Sequence, residues 1–318
     1  MGDDNDSALG ESIAGSLYTA SLTSSVFNYT YENGRRYHAY HAGNYVLPND
    51  EQEQDRLEYT HHLYRLLVGG ASYRAPLLDH RPQRILDIGC GTGIWCIDVA
   101  DEFPESSVIG VDLSPIQPSW VPPNCRFYVD DIEREWTYSP AEHFDYIHAR
   151  DLIGFIGPWK QLLSHIFDNL KPGGFFEIQD CTTPPESIDS GLDLVPDLVQ
   201  WQLKMFEGMA MLGKESPGDA YGIQSYMTEV GFVDTHVEIH KVPIGPWAQG
   251  NKHKELGLIL QEHVSDSVEP YTMAVYTRAL GFSAEDAQAT VERVKNNIQK
   301  TEAHLYLSYY FLWGQKPF

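Results

Sequence analysis

Residues 84 to 100, RILDIGCGTGIWCIDVA, set an apolar run of Ile85, Leu86 and Ile88 directly before Gly89, Gly91 and Gly93, and a helical pattern directly after them. Glycines this dense between a strand and a helix let a ligand lie against bare backbone, because no Cβ fills the turn. A tight turn with no ligand is the competing reading. A dinucleotide fingerprint needs a third glycine at its sixth position, where this chain has Ile94, which argues against a pyrophosphate at the helix N-terminus. No Gly-Lys-Ser/Thr follows, so the loop is not a P-loop. Asp87 immediately precedes the loop, and Asp112 in VIGVDLS falls where a Rossmann-type sheet places a carboxylate to accept from both ribose hydroxyls. In FYVDDIEREW, Asp131 ends a third strand where it can accept from an adenine amino group, with Asp130 as the neighbouring alternative. The ligand so described has adenine and ribose but no phosphate.

Around this loop the chain alternates between strand and helix. RILDIG, SVIGVDL, CRFYVDD, FDYIHA and FFEIQD read as strands, with GIWCIDVADEF and PWKQLLSHIFDNL as helices between them. That order specifies an α/β fold, a Rossmann-like and mostly parallel sheet of about seven strands with helices on both faces. Ligands of such sheets bind outside the carboxyl ends of the strands. Upstream, residues 49 to 68 read as a helix with Asn49 as N-cap, Gln52 three residues on and Gly69-Gly70 as its stop. Downstream, residues 192 to 212, with Pro196 starting or kinking the segment, and 218 to 230 read as helices. FVDTHVEIHKV alternates as a strand, residues 251 to 300 give two or three helices, and AHLYLSYYFLWG is a final buried strand.

The organisation expected is a loose tail over residues 1 to 25 and a single domain over 26 to 318. Within it, residues 26 to 75 form an N-terminal lid and helix, 84 to 181 the cofactor-binding core, and 182 to 318 a helical cap with the last two strands. Forty-five acids against 22 Lys and Arg give a formal charge of −23, which repels nucleic acid and anionic membranes. The start, MGDDNDSALGES, has neither the basic nor the apolar region of a signal peptide, and no stretch approaches the ~20 apolar residues of a membrane span. The expected location is cytoplasmic, or nuclear with a partner. Cys90, Cys96, Cys125 and Cys181 form no CxxC pair, so reduced thiols are expected.

S-adenosylmethionine fits the ligand that the loop and its acids describe. On ILDIGCGTG, VIGVDLS, VDDIEREW, FDYIHARDL and LKPGGFFEIQD the chain resembles the class I S-adenosylmethionine-dependent methyltransferases. YENGRRYHAY, LPNDEQEQDR, PIGPW and the closing WGQKP extend the resemblance to the fungal LaeA-like methyltransferases, which include tailoring enzymes and regulators of secondary metabolism. The resemblance implies that Asp87 helps place the methionine amino group and that Gly89, Gly91 and Gly93 let the cofactor approach backbone. It further implies that Asp112 with Leu113 holds the ribose, that Asp131 and the Ile132 amide meet the adenine, and that Ala149 and Arg150 lie beside the methionine end.

Several constellations remain. Asn33-Gly34 in YENGRRYHAY is a turn signal between aromatics, read either as a packing hairpin or, with the resemblance, as a lid whose Tyr37 and His38 line the cofactor site. Arg56 reads as an ion-pair former. His38 with His41, and His61 with His62, have no complementary ligands nearby, so no metal is expected. A hydroxyl acceptor benefits from a general base, for which His148 at the end of strand four is the first candidate, with a hydrogen-bonded structural histidine as the rival. A carboxylate acceptor needs no base, and Arg150 could steer it. Tyr31, Trp201, Met205, Met209, Trp247 and Tyr271 are the candidate lining of an acceptor pocket, against the plainer reading that they fill the core. The expected activity is methyl transfer from S-adenosylmethionine to a small molecule at a hydroxyl or carboxyl oxygen. The alternatives are a regulator that methylates protein within a complex, and a cofactor-binding protein of different chemistry.

Overall fold

In the computed structural model, residues 28–38, 40 and 45–318 are described; the expected tail over 1 to 25 and His41 lie outside them. The first described elements are a hairpin, β1 (Thr30–Glu32) and β2 (Arg35–Tyr37). Its two-residue turn has φ of 51° at Asn33 and 78° at Gly34, the left-handed pair that a tight hairpin needs and that Asn-Gly supplies at little cost. Next come α1 (Glu51–Leu67) and a short α2 (Leu77–His80). The N-cap of α1 is Asp50, not Asn49: an Asp50 carboxylate oxygen accepts from the Glu53 amide at 3.1 Å. Asp50 is chosen because Arg35 from the hairpin also grips it, through Nε and Nη2 at 2.7 and 2.8 Å. Asn49 instead donates to the Ser114 hydroxyl at 3.2 Å.

The central unit then runs β3 (Arg84–Ile88), α3 (Ile94–Glu102), β4 (Ser107–Asp112), β5 (Cys125–Val129), β6 (Phe144–Arg150), α4 (Trp159–Asn169) and β7 (Leu170–Cys181). After a two-residue β8 (Glu186–Ser187) come α5 (Pro196–Met211), α6 (Ala220–Val230), β9 (Val233–Pro243), α7 (Asn251–Ala274), α8 (Ala284–Ile298) and β10 (Leu305–Gln315). Pro196 sits in the first turn of α5, where its missing N–H costs nothing. The strands pair in the order β5-β4-β3-β6-β7-β10-β9, with β8 on the opening of β10. The five strands from β5 to β7 are parallel; β10 runs antiparallel to both β7 and β9.

Each face of the sheet is buried differently. On one side Ile85, Val108 and Phe175 pack with Trp95 of α3 and Leu77 of α2. On the other, Leu86, Ile147 and Phe176 pack with Leu162 and Ile166 of α4 and Met227 of α6. A third apolar cluster joins α5, α7 and α8 to Leu63 and Tyr64 of α1 and to Leu47, which builds a helical cap over the carboxyl ends of the strands. Asp50 locks the hairpin to this cap's rim. Asp50→Ala is therefore expected to cost at least the ~1–2 kcal/mol of a lost cap, read as a lower midpoint in urea unfolding. A change under about 0.5 kcal/mol, the scatter of ordinary surface substitutions, would show that the cap and the Arg35 clamp contribute nothing.

Candidate active site

The turn after β3 is strapped to the end of β4. The Gly89 and Cys90 amides both donate to the Val111 carbonyl, at 2.8 and 3.0 Å, and the Gly91 amide donates to Asp112 Oδ2 at 2.9 Å. The three glycines have φ of 69°, 54° and 79°, so each lies in the left-handed region. Their crowding differs. A Cβ on Gly93 would come within 2.4 Å of the Phe127 ring and one on Gly89 within 2.7 Å of Leu152, whereas one on Gly91 meets only Leu57 at 3.4 Å. Gly93 is thus required by packing behind the loop, and it does not line the cavity; Gly91 keeps the cavity side clear.

The cavity opened by this turn is lined by Asp87, Gly89, Gly91, Asp112, Leu113, Asp131, Ile132 and Arg150, all assigned to the cofactor from sequence. Ala149 is fully buried inside β6 and does not border it. Asp112 Oδ1 accepts from the Ser114 amide at 2.8 Å, so each carboxylate oxygen holds one backbone N–H and keeps a lone pair for a diol. Burial pushes the Asp112 carboxyl up to about 6. Asp131 accepts from the Glu133 amide at 3.1 Å and lies 3.6 Å from Arg134 Nε. The cations on this wall are engaged: Arg56 by Glu53 at 2.7 Å, Lys214 by Glu133 at 2.8 Å, and Arg150 by the Gln179 amide oxygen at 2.6 Å. An acidic lining with its cations engaged suits a ligand that bears positive charge and opposes a phosphate. The open Gly91 side and the Asp112 acceptor fit S-adenosylmethionine on the same grounds.

Tyr37 and His38 are placed elsewhere. Tyr37 is buried in the cap core with the Arg278 guanidinium 4.6 Å from its ring centroid, and His38 holds its Nδ1 2.6 Å from the Tyr40 carbonyl. The N-terminal arm reaches the cavity through Tyr45, Leu47, Pro48 and Asn49 instead. The cause is the hairpin's docking, since Arg278 ties Glu32 at 2.6 Å and turns Tyr37 inward.

His148 pairs with Asp87 across β3 and β6, Nδ1 to Oδ1 at 2.7 Å, and stacks on Trp95 at 3.8 Å. It borders the cofactor cavity but not the second one described next. Arg150 is also fixed: its Nη1 donates to His61 Nδ1 at 3.0 Å, and His61 Nε2 meets Asp98 at 2.9 Å. Neither residue borders the second cavity.

A second cavity of about 510 Å³ lies under the cap, with Trp201, Met205 and Met209 of α5, Tyr271 of α7 and Tyr309 of β10 on its wall. The i, i+4, i+8 spacing of the α5 residues puts all three on one helix face. Of the residues assigned to an acceptor pocket from sequence, these three and Tyr271 are brought together. Tyr31 and Trp247 border neither cavity. Tyr31 is 74% exposed on β1, and Trp247 donates its Nε1 to the Leu305 carbonyl at 2.9 Å at the far end of the cap. Arg56, Thr60, Asp151, Phe155, Lys214 and Tyr271 border both cavities and so mark their junction.

Sequence reading missed Asp151, Asp180 and Lys214. The first two were accessible to a rule already in use, because Asp151 directly follows β6 and Asp180 lies at the end of β7, and the cavities open at the carboxyl ends of these strands. Burial raises the Asp151 carboxyl and pushes Asp180 up to about 8. Among the described residues no group of three or more His, Cys, Asp or Glu side chains is placed to hold a metal ion, and no helix is long and apolar enough to cross a membrane.

A family model described as a methyltransferase domain matches residues 59–237. Methyltransferase pytC of Aspergillus terreus is 36% identical over 94% of this chain and 91% of its own length. The secondary metabolism regulator LaeA of Aspergillus flavus is 34% identical over 90% of this chain and 77% of its own. The protein-methionine methyltransferase LaeA of Emericella nidulans is 33% identical, over 90% and 76%.

Proposed function

We propose a small-molecule methyl acceptor for this chain, which belongs to the S-adenosylmethionine-dependent methyltransferases and takes its methyl group from that cofactor. The observation that carries the proposal is the apolar cavity beside the cofactor cavity, joined to it by six shared residues. Concave sites lined by aromatic and sulfur-bearing side chains suit a flat or greasy metabolite; a peptide needs backbone partners along a groove. The acceptor atom is a hydroxyl or carboxyl oxygen, and the setting is secondary metabolism, as the name of the Aspergillus flavus relative indicates for that protein.

Bound in the first cavity, S-adenosylmethionine supplies a methyl group already activated on a sulfonium. The chain's own residues then have three tasks. Asp112 and Leu113 hold the ribose and Asp131 with the Ile132 amide holds the adenine, which fixes the donor's direction. Asp87 accepts from the amino group, with His148 and Trp95 holding its carboxylate in place. The cap excludes water and sets the acceptor in line, and such positioning is worth several kcal/mol of barrier.

The test is transfer of labelled methyl to a panel of hydroxylated and carboxylated aromatic metabolites, with fungal cell protein as the competing acceptor. Small-molecule products, and their loss in Met209→Trp with binding of S-adenosylhomocysteine retained, are expected. Label found only in protein would overturn the reading in favour of a regulatory protein methyltransferase, the activity that the Emericella nidulans relative is named for.

A further inference from the structure

We propose that Asp151 is the general base that takes the proton from an acceptor hydroxyl at the junction of the two cavities, and that its charge selects a neutral hydroxyl over a carboxylate. The inference rests on the small-molecule reading above and narrows it.

Asp151 directly follows β6, and it has φ of 52°, a left-handed backbone that few residues other than glycine adopt. Its amide donates to the Gln179 carbonyl at 3.0 Å, which holds the turn. Tyr64 donates its hydroxyl to Oδ1 at 2.5 Å, and Oδ2 takes no hydrogen bond among the described residues. The side chain borders both cavities, so an oxygen placed between them meets Oδ2. Burial raises this carboxyl, which makes its ionised form a stronger base than a surface aspartate.

The other titratable groups nearby are less suited. His148 is committed to Asp87 and does not border the acceptor cavity. Asp180 spends one oxygen on the Ile153 amide at 2.9 Å and the other on the Cys181 amide at 2.8 Å. Tyr271 borders both cavities, but burial pushes its hydroxyl further from ionisation. Arg56 and Lys214, the cations that border the acceptor cavity, are paired with Glu53 and Glu133, and Arg150 is engaged by Gln179 and His61 outside it, so each of these cations already has a partner.

In the step, Asp151 Oδ2 accepts the acceptor's hydroxyl proton as its oxygen forms the new bond to the methyl carbon. The methyl–sulfur bond breaks and leaves its electron pair on sulfur. The products are a methyl ether, a neutral thioether and a protonated Asp151, whose proton passes to water when the products leave.

The probes are 2-naphthol and 2-naphthoic acid, titrated at pH 7.5 into the protein saturated with S-adenosylhomocysteine. The wild-type protein is expected to bind 2-naphthol at least about tenfold more tightly than 2-naphthoate, since a like charge beside a buried carboxylate is costly. Asp151→Asn should narrow that ratio about tenfold, chiefly through tighter 2-naphthoate, with S-adenosylhomocysteine affinity unchanged; Asp151→Glu should keep it. In turnover, Asp151→Asn should slow methylation of 2-naphthol by roughly 10²–10⁴. It should slow 1-nitro-2-naphthol, already ionised at this pH, far less. Bound naphthols with an unchanged ratio, or equal losses on both acceptors, would overturn the role of Asp151 alone. Binding of S-adenosylhomocysteine with neither probe bound would overturn the small-molecule reading itself and this inference with it.

Discussion

Asp112→Ala is expected to bind S-adenosylhomocysteine roughly ten- to a hundredfold more weakly than the parent, measured by calorimetry at pH 7.5. In the binding mode proposed above this carboxylate accepts from the ribose diol, and removing one partner of a charged hydrogen bond costs ~1.5–3 kcal/mol. It also releases the Gly91 and Ser114 amides, which the two oxygens now hold at 2.9 and 2.8 Å, so the loop keeps only its Gly89 and Cys90 bonds to β4. A pH signature separates this role from general damage. Burial, helped by the charge of Asp87, pushes the Asp112 carboxyl up to about 6. Hydroxyl donors favour the ionised form, so affinity should be level above about pH 7 and fall as the pH drops through 6. The Ala variant should lack that fall. Parent-like affinity, or an acid limb that persists in the variant, would remove Asp112 from the cofactor site.

The elements that lie in the sheet were legible because their signals are local. Ile85 to Ile88, Val108 to Val111 and Phe175 to Ile178 are short apolar runs bounded by turn residues, and all of them lie in the buried sheet. The Asn33-Gly34 turn and Pro196 at the opening of α5 follow from the backbone each residue permits. What failed was settled at a distance. Asn49 and Asp50 cap helices about equally well in isolation, and Arg35, fifteen residues upstream, decides between them. Tyr37 and His38 could be placed near a site by resemblance, yet which face of a three-residue strand turns inward depends on Arg278, some 240 residues on. Trp201, Met205 and Met209 share a face whether they line a cavity or fill a core, so their spacing could not separate the two. The strand-end rule already pointed to Asp151 beside Arg150, but the left-handed backbone of that turn is not visible in the string RDL.

The largest loss of stability is expected at a carboxylate that no motif marked. Glu177, midway along β7, is completely buried, and its oxygens accept from the Arg74 amide at 2.9 and 3.0 Å, from the Ala75 amide at 2.7 Å and from Gln179 Nε2 at 2.7 Å. It therefore holds the segment between α1 and α2 against the sheet. Through Gln179 it also supports Arg150, whose Nε and Nη2 both donate to the Gln179 amide oxygen. Glu177→Ala would leave the Ala75 amide, the partly buried Arg74 amide and one N–H of Gln179, whose other N–H keeps the Ser72 carbonyl, without an acceptor, at about 1–3 kcal/mol each. The expected sum exceeds about 3 kcal/mol, or a fall in Tm of roughly 5 °C for a chain of this length, by thermal unfolding. The contrast is Glu238→Ala, which removes the partly exposed ion pair from Arg74 and should cost under about 1 kcal/mol. Glu177→Gln should fall between, since the amide oxygen keeps an acceptor for one of the backbone amides while its NH₂ faces donors. A Glu177→Ala protein as stable as Glu238→Ala would mean that the segment is held by the packing of Tyr73 and Leu77, and that the buried carboxylate is not what positions it.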